Sequence, residues 1–171
     1  MDGVFVRRVE LWARQATPVT LAFLIVVFGT LPWPLPAIVP KPAILVLAAV
    51  YYWVLHRPEL FRPLAAFALG LVQDLLSGGA LGLNAFVLLL VREAVRSQRK
   101  TLANKPFFVL WGAFAVIAAG AALVTWLCGS LYYVQLLWPE TVIVQYLFGV
   151  ALYPAVAWCL MRVHLAILQP A

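Results

Sequence analysis

One acidic residue lies well inside an apolar segment of this chain, and it is the strongest candidate for chemistry. Asp74, with Gln73 beside it, lies in residues 67–84 (FALGLVQDLLSGGALGLN), and a glycine-rich break and Asn84 follow it. A carboxylate at membrane depth is costly unless it is paired, protonated or facing a cavity. The sequence offers no second intramembrane carboxylate for an acid–base couple, no serine–histidine pair, no phosphate-binding glycine loop and no metal-ligand spacing. We therefore predict no enzyme, no cofactor and no metal site.

Three roles are open for Asp74. It could accept hydrogen bonds from the turn at residues 77–79 or from Asn84, which is a structural role. It could line a cavity, because short and glycine-interrupted spans often surround a binding site. It could also contact a partner's helix, since a glycine one turn earlier on the same face admits close approach. The candidate partner or cavity contacts are Gly70, Gln73, Asp74, Gly78 and Asn84.

Composition determines the class of protein that positions these residues. The 171-residue chain is 65% hydrophobic and 11% charged, with a mean hydropathy of +1.00. A soluble domain of this size buries only part of its surface and could not hide so much apolar area. Apolar runs of about 20 residues match a hydrocarbon core roughly 30 Å thick, and the short alternating strands of a barrel do not occur. We predict an all-α integral membrane protein with a single membrane domain over residues 1–171.

Six transmembrane helices are predicted, at about residues 17–35, 43–56, 64–76, 81–91, 107–128 and 142–161. A proline cluster ends the first span. The second ends in Tyr51, Tyr52 and Trp53, which we interpret as an aromatic belt at a membrane interface. Outside residues 67–84, the spans are expected to face mostly lipid. The fifth has a small-residue face that allows close helix packing, within this chain by default or against a partner; its members are Gly112, Ala115, Ala118, Ala119, Gly120, Ala121 and Ala122.

The positive charges predict the orientation. Eleven of the twelve Lys and Arg residues fall on one side of a six-span chain, and only Lys41 falls on the other. By the positive-inside rule, both termini are cytoplasmic. The net charge of +6 therefore reflects topology and not nucleic-acid binding. Cys128 and Cys159 fall at opposite ends of the bilayer, roughly 25 Å apart and beyond the reach of a disulfide.

The N-terminal residues 1–16 read as an amphipathic lead. Phe5, Val9, Trp12 and Ala16 recur at helical spacing, with charged residues on another face. The segment lies in the membrane interface against anionic lipid, or it is only a solvated entry to the first span. It is not expected to be a cleavable signal, because no small-residue cleavage site follows and five further apolar segments do.

The middle of the chain carries an order of motifs that resembles a known family. After the aromatic end of the second span comes a turn with Arg57, Pro58 and Glu59, then G-L-x-x-D-L-L-x-G from Gly70, and then x-L-G-x-N-A ending at Ala85. This order resembles the MreD family of bacterial rod-shape-determining proteins. The chain departs from the pattern at Gln73, where an apolar residue is common, and in its longer N-terminal lead.

The resemblance implies a non-catalytic scaffold subunit in the bacterial cytoplasmic membrane. Such a subunit helps to maintain cell shape through lateral peptidoglycan synthesis. The implied partners are an MreC-like single-span protein, a RodA-like glycosyltransferase with its class B transpeptidase, and the MreB filament, directly or indirectly. The implied fold resembles the substrate-binding subunits of energy-coupling-factor vitamin transporters.

Two questions stay open at this point. The basic stretch at residues 92–105 places Arg92, Arg96, Arg99 and Lys100 on one helical face, where they could contact anionic lipid or the filament, although topology alone also accounts for them. The alternative function is a transport subunit that binds a vitamin-like or lipid ligand near Asp74. The few polar groups available to such a cavity argue against it.

Overall fold

The computed structural model describes residues 19–27, 42–59, 61–102, 104–134 and 140–168, which form six helices and, within these ranges, no strand. Helix α1 lies at residues 19–27. The others are α2 (Pro42–His56), α3 (Pro63–Ser77), α4 (Leu83–Leu102), α5 (Phe107–Tyr133) and α6 (Glu140–Leu168). The predicted amphipathic lead, the proline cluster before α2 and the two ends of the first predicted span fall outside the described residues.

Helix α2 is the central helix of the bundle. It packs against α4 and α6, α5 lies between α4 and α6, and α3 packs against α4. Residues 46–55 of α2 are all buried, because α4, α5 and α6 pack around this helix. The expectation that this span faces lipid is therefore wrong. Tyr51, Tyr52 and Trp53 are at most 5% exposed, so they form part of the core and not an aromatic belt.

An aromatic cluster joins α2, α5 and α6. The Tyr51 ring meets Phe114 and Tyr153 edge to face, with centroids 5.2 and 5.6 Å away, and Phe114 stacks on Tyr153 at 4.2 Å. The Tyr51 hydroxyl donates a hydrogen bond to the carbonyl of Leu110 at 2.9 Å. Such contacts matter in a membrane, where helix association depends on close packing and interhelical hydrogen bonds.

Two helices in the described part of the chain, α5 and α6, are long and apolar enough to cross a membrane, over Phe107–Tyr133 and Glu140–Val163. Both are mostly exposed, with 22% and 17% of their apolar windows buried. Helices α2 and α3 are apolar but have 15 residues each, a length of about 22 Å. Helix α4 continues to Leu102, so the predicted fourth span and most of the basic stretch form one helix.

Helix α6 contains Pro154, and a side chain of α5 compensates for the backbone hydrogen bond that this proline removes. Pro154 has no N–H, so the carbonyl of Val150, four residues earlier, lacks its helical donor. The indole Nε1 of Trp111 in α5 donates to that carbonyl at 2.8 Å. Since a free backbone carbonyl is costly in lipid, this bond both repairs α6 and fixes α5 against it.

Candidate functional site

Asp74 lies in the last turn of α3, and its carboxylate accepts four hydrogen bonds from the start of α4. The residue is 1% exposed. The N–H groups of Gly82 and Ala85 donate to Oδ2 at 2.9 and 3.4 Å. Asn84 donates twice to Oδ1, from its backbone N–H at 3.2 Å and from Nδ2 at 2.8 Å. The carboxylate therefore lies at the N-terminus of α4, where the helix dipole favours negative charge.

These bonds complete the first turn of α4. The N–H groups of Leu83 and Phe86 donate to backbone carbonyls at 3.2 and 2.9 Å. The N–H groups of Gly82, Asn84 and Ala85 donate their hydrogen bonds to the Asp74 carboxylate. A side chain of the preceding helix thus replaces the usual N-cap residue, and it holds α3 and α4 together as a hairpin.

Glycines allow the two helices of this hairpin to meet. A Cβ on Gly70 would lie 2.3 Å from the Cα and 2.5 Å from the N of Ala85, so only glycine permits this approach. Gly78 ends α3 in the left-handed conformation, with φ +64°, and Gly82 has φ +89°. The geometry around Asp74 is that of the structural role. A contact of these residues with a partner or ligand stays a prediction.

Gln73 points away from the hairpin bonds and into the bundle. Together with Asn84 it lines a cavity of about 70 Å³ between α2, α3, α4, α5 and α6. Gln73 is 2% exposed, and its Oε1 accepts no hydrogen bond from the described part of the chain. Sites for drug-sized ligands measure roughly 300–1,000 Å³. The cavity is therefore too small for a vitamin-like ligand.

Two of the four basic residues of α4 donate hydrogen bonds to backbone carbonyls, and a third, Arg96, lies 3.8 Å from the Glu93 carboxylate. Arg92 is 4% exposed; its Nε donates to the carbonyl of Phe61 at 2.9 Å, and its guanidinium also pairs with Glu93. The Nε of Arg99 donates to the carbonyl of Leu55 in the last turn of α2, at 3.2 Å. These carbonyls lie in a helix end and a turn, where helical donors are lacking. The two arginines therefore fasten α4 to the connection between α2 and α3.

The exposed part of this basic region is smaller than the sequence predicts. Of the four, only Arg96 and Lys100 are exposed. In the turn between α2 and α3, Arg57 and Glu59 are exposed and Pro58 is half-buried. The interpretation of all four basic residues of α4 as one surface contact is corrected accordingly, because Arg92 has no surface to offer.

The family comparison decides where this chain belongs. The family described as rod shape-determining protein MreD matches residues 14–163, which is most of the chain. The chain belongs to the MreD family. No curated protein and no solved structure gives a significant match. MreD proteins are membrane proteins with a role in determining rod cell shape, and they are structural subunits of the Mre complex, not known as enzymes.

In this MreD family member, sequence reasoning missed the residues that connect one helix to another. Trp111 and Arg92 both donate to carbonyls on other helices or turns. A proline inside an apolar span does signal a free carbonyl four residues earlier, at Val150. The sequence gives no signal for which donor reaches that carbonyl, because the donor comes from a different helix.

Proposed function

We propose that this MreD family chain is a non-catalytic membrane scaffold, which docks the transmembrane helix of an MreC-like partner and supports lateral peptidoglycan synthesis. The observation that carries the proposal is the environment of Asp74, whose two oxygens accept four bonds from the chain itself. Buried Arg92 is likewise bonded internally. Buried charges used in this way make a rigid platform, and the Asp74 carboxylate is engaged in structural bonds and not free to act as an acid or base.

The proposed scaffold crosses the bacterial cytoplasmic membrane six times, with both termini in the cytoplasm. The bond from Arg99 to Leu55 brings the end of α4 to the end of α2. The bond from Arg92 to Phe61 brings α4 to the start of α3. The basic residues of α4 therefore lie at the same end of the bundle as those of the connection between α2 and α3. A single basic end supports this orientation under the positive-inside rule.

We place the partner helix on the outer face of α5. The small residues of this helix are divided between two surfaces, because Ala118 and Ala121 are buried in the bundle whereas Gly112, Ala119 and Gly120 are exposed. A Cβ added to either of these glycines meets no atom of the chain. Small residues on a membrane-facing surface let the backbone of a neighbouring helix come close.

Copurification from the native membrane in gentle detergent tests this docking face. The wild type should bring down a single-span protein with a coiled coil and a periplasmic part, with or without a RodA-like glycosyltransferase and its transpeptidase. Gly120→Leu should reduce the amount of copurified partner several-fold, because the added side chain blocks the close approach of the partner helix. The Tm of the chain should not change, because the side chain enters open space in the free protein. The matched control is Ala68→Leu, on the exposed face of α3.

The two variants separate the possible results. If Ala68→Leu loses the partner and Gly120→Leu keeps it, the docking face lies on α3. If both variants keep the partner, the docking face on α5 is excluded. Capture of two ATPases with a coupling subunit, in place of the single-span protein, would overturn the scaffold proposal itself.

The proposed cytoplasmic contact, with anionic lipid or the MreB filament, rests on Arg96 and Lys100. Both are exposed, as is Arg57 in the neighbouring turn. Reversing the charge of Arg96 and Lys100 together should weaken filament association and binding to anionic vesicles. Arg99 is left unchanged, because its bond to Leu55 would confound the result. Unchanged orientation, vesicle binding and filament association would exclude the contact.

A lipid ligand is the form of the alternative function that one observation favours. A groove of about 590 Å³ lies at the opposite end of the bundle from Asp74, with aromatic and apolar walls that include Tyr52, Phe107, Tyr153 and Trp158. Its volume lies in the range of ligand sites and its lining suits an acyl chain. Native mass spectrometry of the purified chain tests for this lipid. A lipid that the wild type retains and Trp158→Ala loses would support the lipid-binding alternative. A wild type without bound lipid would contradict it.

A further inference from the structure

The cavity beside Gln73 contains an unpaired polar atom that the hairpin does not explain. Gln73 is 2% exposed, and its Oε1 is buried with no hydrogen-bond donor among the described residues. A buried amide oxygen without a donor is costly, and buried polar atoms of folded proteins nearly always have a partner. Gln73 therefore requires a hydrogen-bond donor that the described part of the chain does not supply.

The lining of the cavity offers further hydrogen-bonding groups. Asn84 donates its Nδ2 to Asp74, which leaves its carbonyl oxygen as an acceptor. Thr125 donates its hydroxyl to the carbonyl of Ala121 at 2.8 Å, which leaves the lone pairs of Oγ1. Gln145 of α6 adds a third primary amide, after those of Gln73 and Asn84. The polar lining is thus rich in acceptors, and these come from four different helices.

Size and charge restrict what the cavity can hold. Its volume is about 70 Å³. A single water needs only about 10–15 Å³ of such space, and its share of liquid volume is about 30 Å³. None of the described residues that line the cavity is charged, and both oxygens of the neighbouring Asp74 are already engaged. An ion would lack a compensating charge there. The occupant that fits is small, neutral and able to donate hydrogen bonds.

We propose that this cavity is an internal hydration site, in which one or two water molecules donate to Gln73 Oε1 and bridge it to Asn84, Thr125 or Gln145. Such a water makes the two to four polar contacts that buried waters in proteins require. The site is independent of the scaffold function, because it depends only on residues between the helices at the Asp74 end of the bundle. It would keep polar groups of four helices satisfied where these helices meet.

The first test is a structure of the full chain in a lipid nanodisc, at a resolution that shows ordered water. Density at a hydrogen-bonding distance of about 2.7–3.2 Å from Gln73 Oε1 is the expected result. In Gln73→Leu, the water on this side chain should disappear, while any water held by Thr125 and Gln145 stays. A cavity without density, in a map that shows water elsewhere, would overturn the proposal. Density too large for water would also overturn it, and would identify a ligand site.

Xenon provides a second probe that needs no substitution at Gln73. Dry apolar cavities bind xenon, whereas a cavity filled with bonded water does not. Crystals of the wild type under xenon pressure should show no xenon beside Gln73. The positive control is Phe114→Ala, which opens a dry cavity at a fully buried apolar position. Xenon beside Gln73 in the wild type would show a dry cavity and refute the hydration site, even if the control variant failed to fold.

Discussion

Replacing Asp74 by Asn tests whether the hairpin between α3 and α4 depends on a carboxylate. The two side chains have nearly the same shape, but Asn keeps one oxygen and replaces the other by a donor NH₂ group. If the oxygen stays with the two donors of Asn84, the NH₂ group faces the N–H groups of Gly82 and Ala85. Those two N–H groups lose their acceptor and meet another donor.

The size of the effect follows from those two lost bonds. An N–H group left without an acceptor in a buried place costs about 1–3 kcal/mol. The bond from Ala85 is long, at 3.4 Å, so its share falls at the lower end. Removing a negative charge from the N-terminus of α4 costs a further ~0.3–1 kcal/mol. Asp74→Asn should therefore destabilise the chain by roughly 2–5 kcal/mol, which corresponds to a decrease in Tm of roughly 4–20 °C for a protein of this size.

Thermal unfolding in detergent, followed by tryptophan fluorescence, measures this decrease. Asn84→Ala should have a smaller effect of about 1 kcal/mol, because it removes one side-chain bond and leaves the carboxylate in place. Glu59→Gln is the matched control, since Glu59 is an exposed carboxylate and its Tm should not change. If Asp74→Asn and Glu59→Gln both unfold at the wild-type temperature, the carboxylate does not hold the hairpin and the structural role of Asp74 is wrong.

Three further contacts of the bundle are tested by substitution, each by thermal unfolding. Gly70→Ala should destabilise the chain by ~1–3 kcal/mol or more, because its Cβ would overlap the backbone of α4. In the control Gly120→Ala, the added Cβ meets no atom, so the Tm should stay equal or rise slightly. Equal effects of the two substitutions would contradict the close approach of α4 to Gly70. Trp111→Phe should cost about 1–3 kcal/mol, because the carbonyl that the proline of α6 frees loses its donor. Adding Pro154→Ala should recover part of this loss by restoring an N–H, and additive effects in the double-mutant cycle would exclude the coupling. Tyr51→Phe should cost about 1 kcal/mol through its bond to α5, and an unchanged Tm would show that this bond contributes nothing.

The sequence predicted the all-helical class and the importance of the stretch around Asp74 because both depend on local composition. Helices follow from apolar runs, and the proximity of Asp74 to Asn84 follows from a glycine-rich break that lets one helix turn back along another. The sequence predicts close approach at Gly70 by a partner's helix, whereas the backbone that approaches it is that of α4 in the same chain. These features involve residues that are near one another in the chain.

The sequence could not predict which faces of the helices meet. Helix α2 is apolar on every side, and the same composition suits a lipid-facing span and a buried one. The prediction of an interfacial belt at Tyr51 and Trp53 is therefore wrong, and both lie in the core. Arg92 was grouped with exposed cations because the helical period is the same for a surface face and a buried one. Only the position of Phe61, 31 residues away, determines that Arg92 is buried.

The bonds of Asp74 also have a consequence for the order in which the chain enters the membrane. All four donors lie between eight and eleven residues after it, so no other helix is needed to satisfy the carboxylate. If α3 entered the bilayer alone, it would carry an unpaired acidic group into hydrocarbon. When the first turn of α4 enters the bilayer beside α3, the same group is satisfied, and contacts this local form quickly. The carboxylate thus makes α3 and α4 a pair whose buried polar groups are satisfied in the bilayer without α5 or α6.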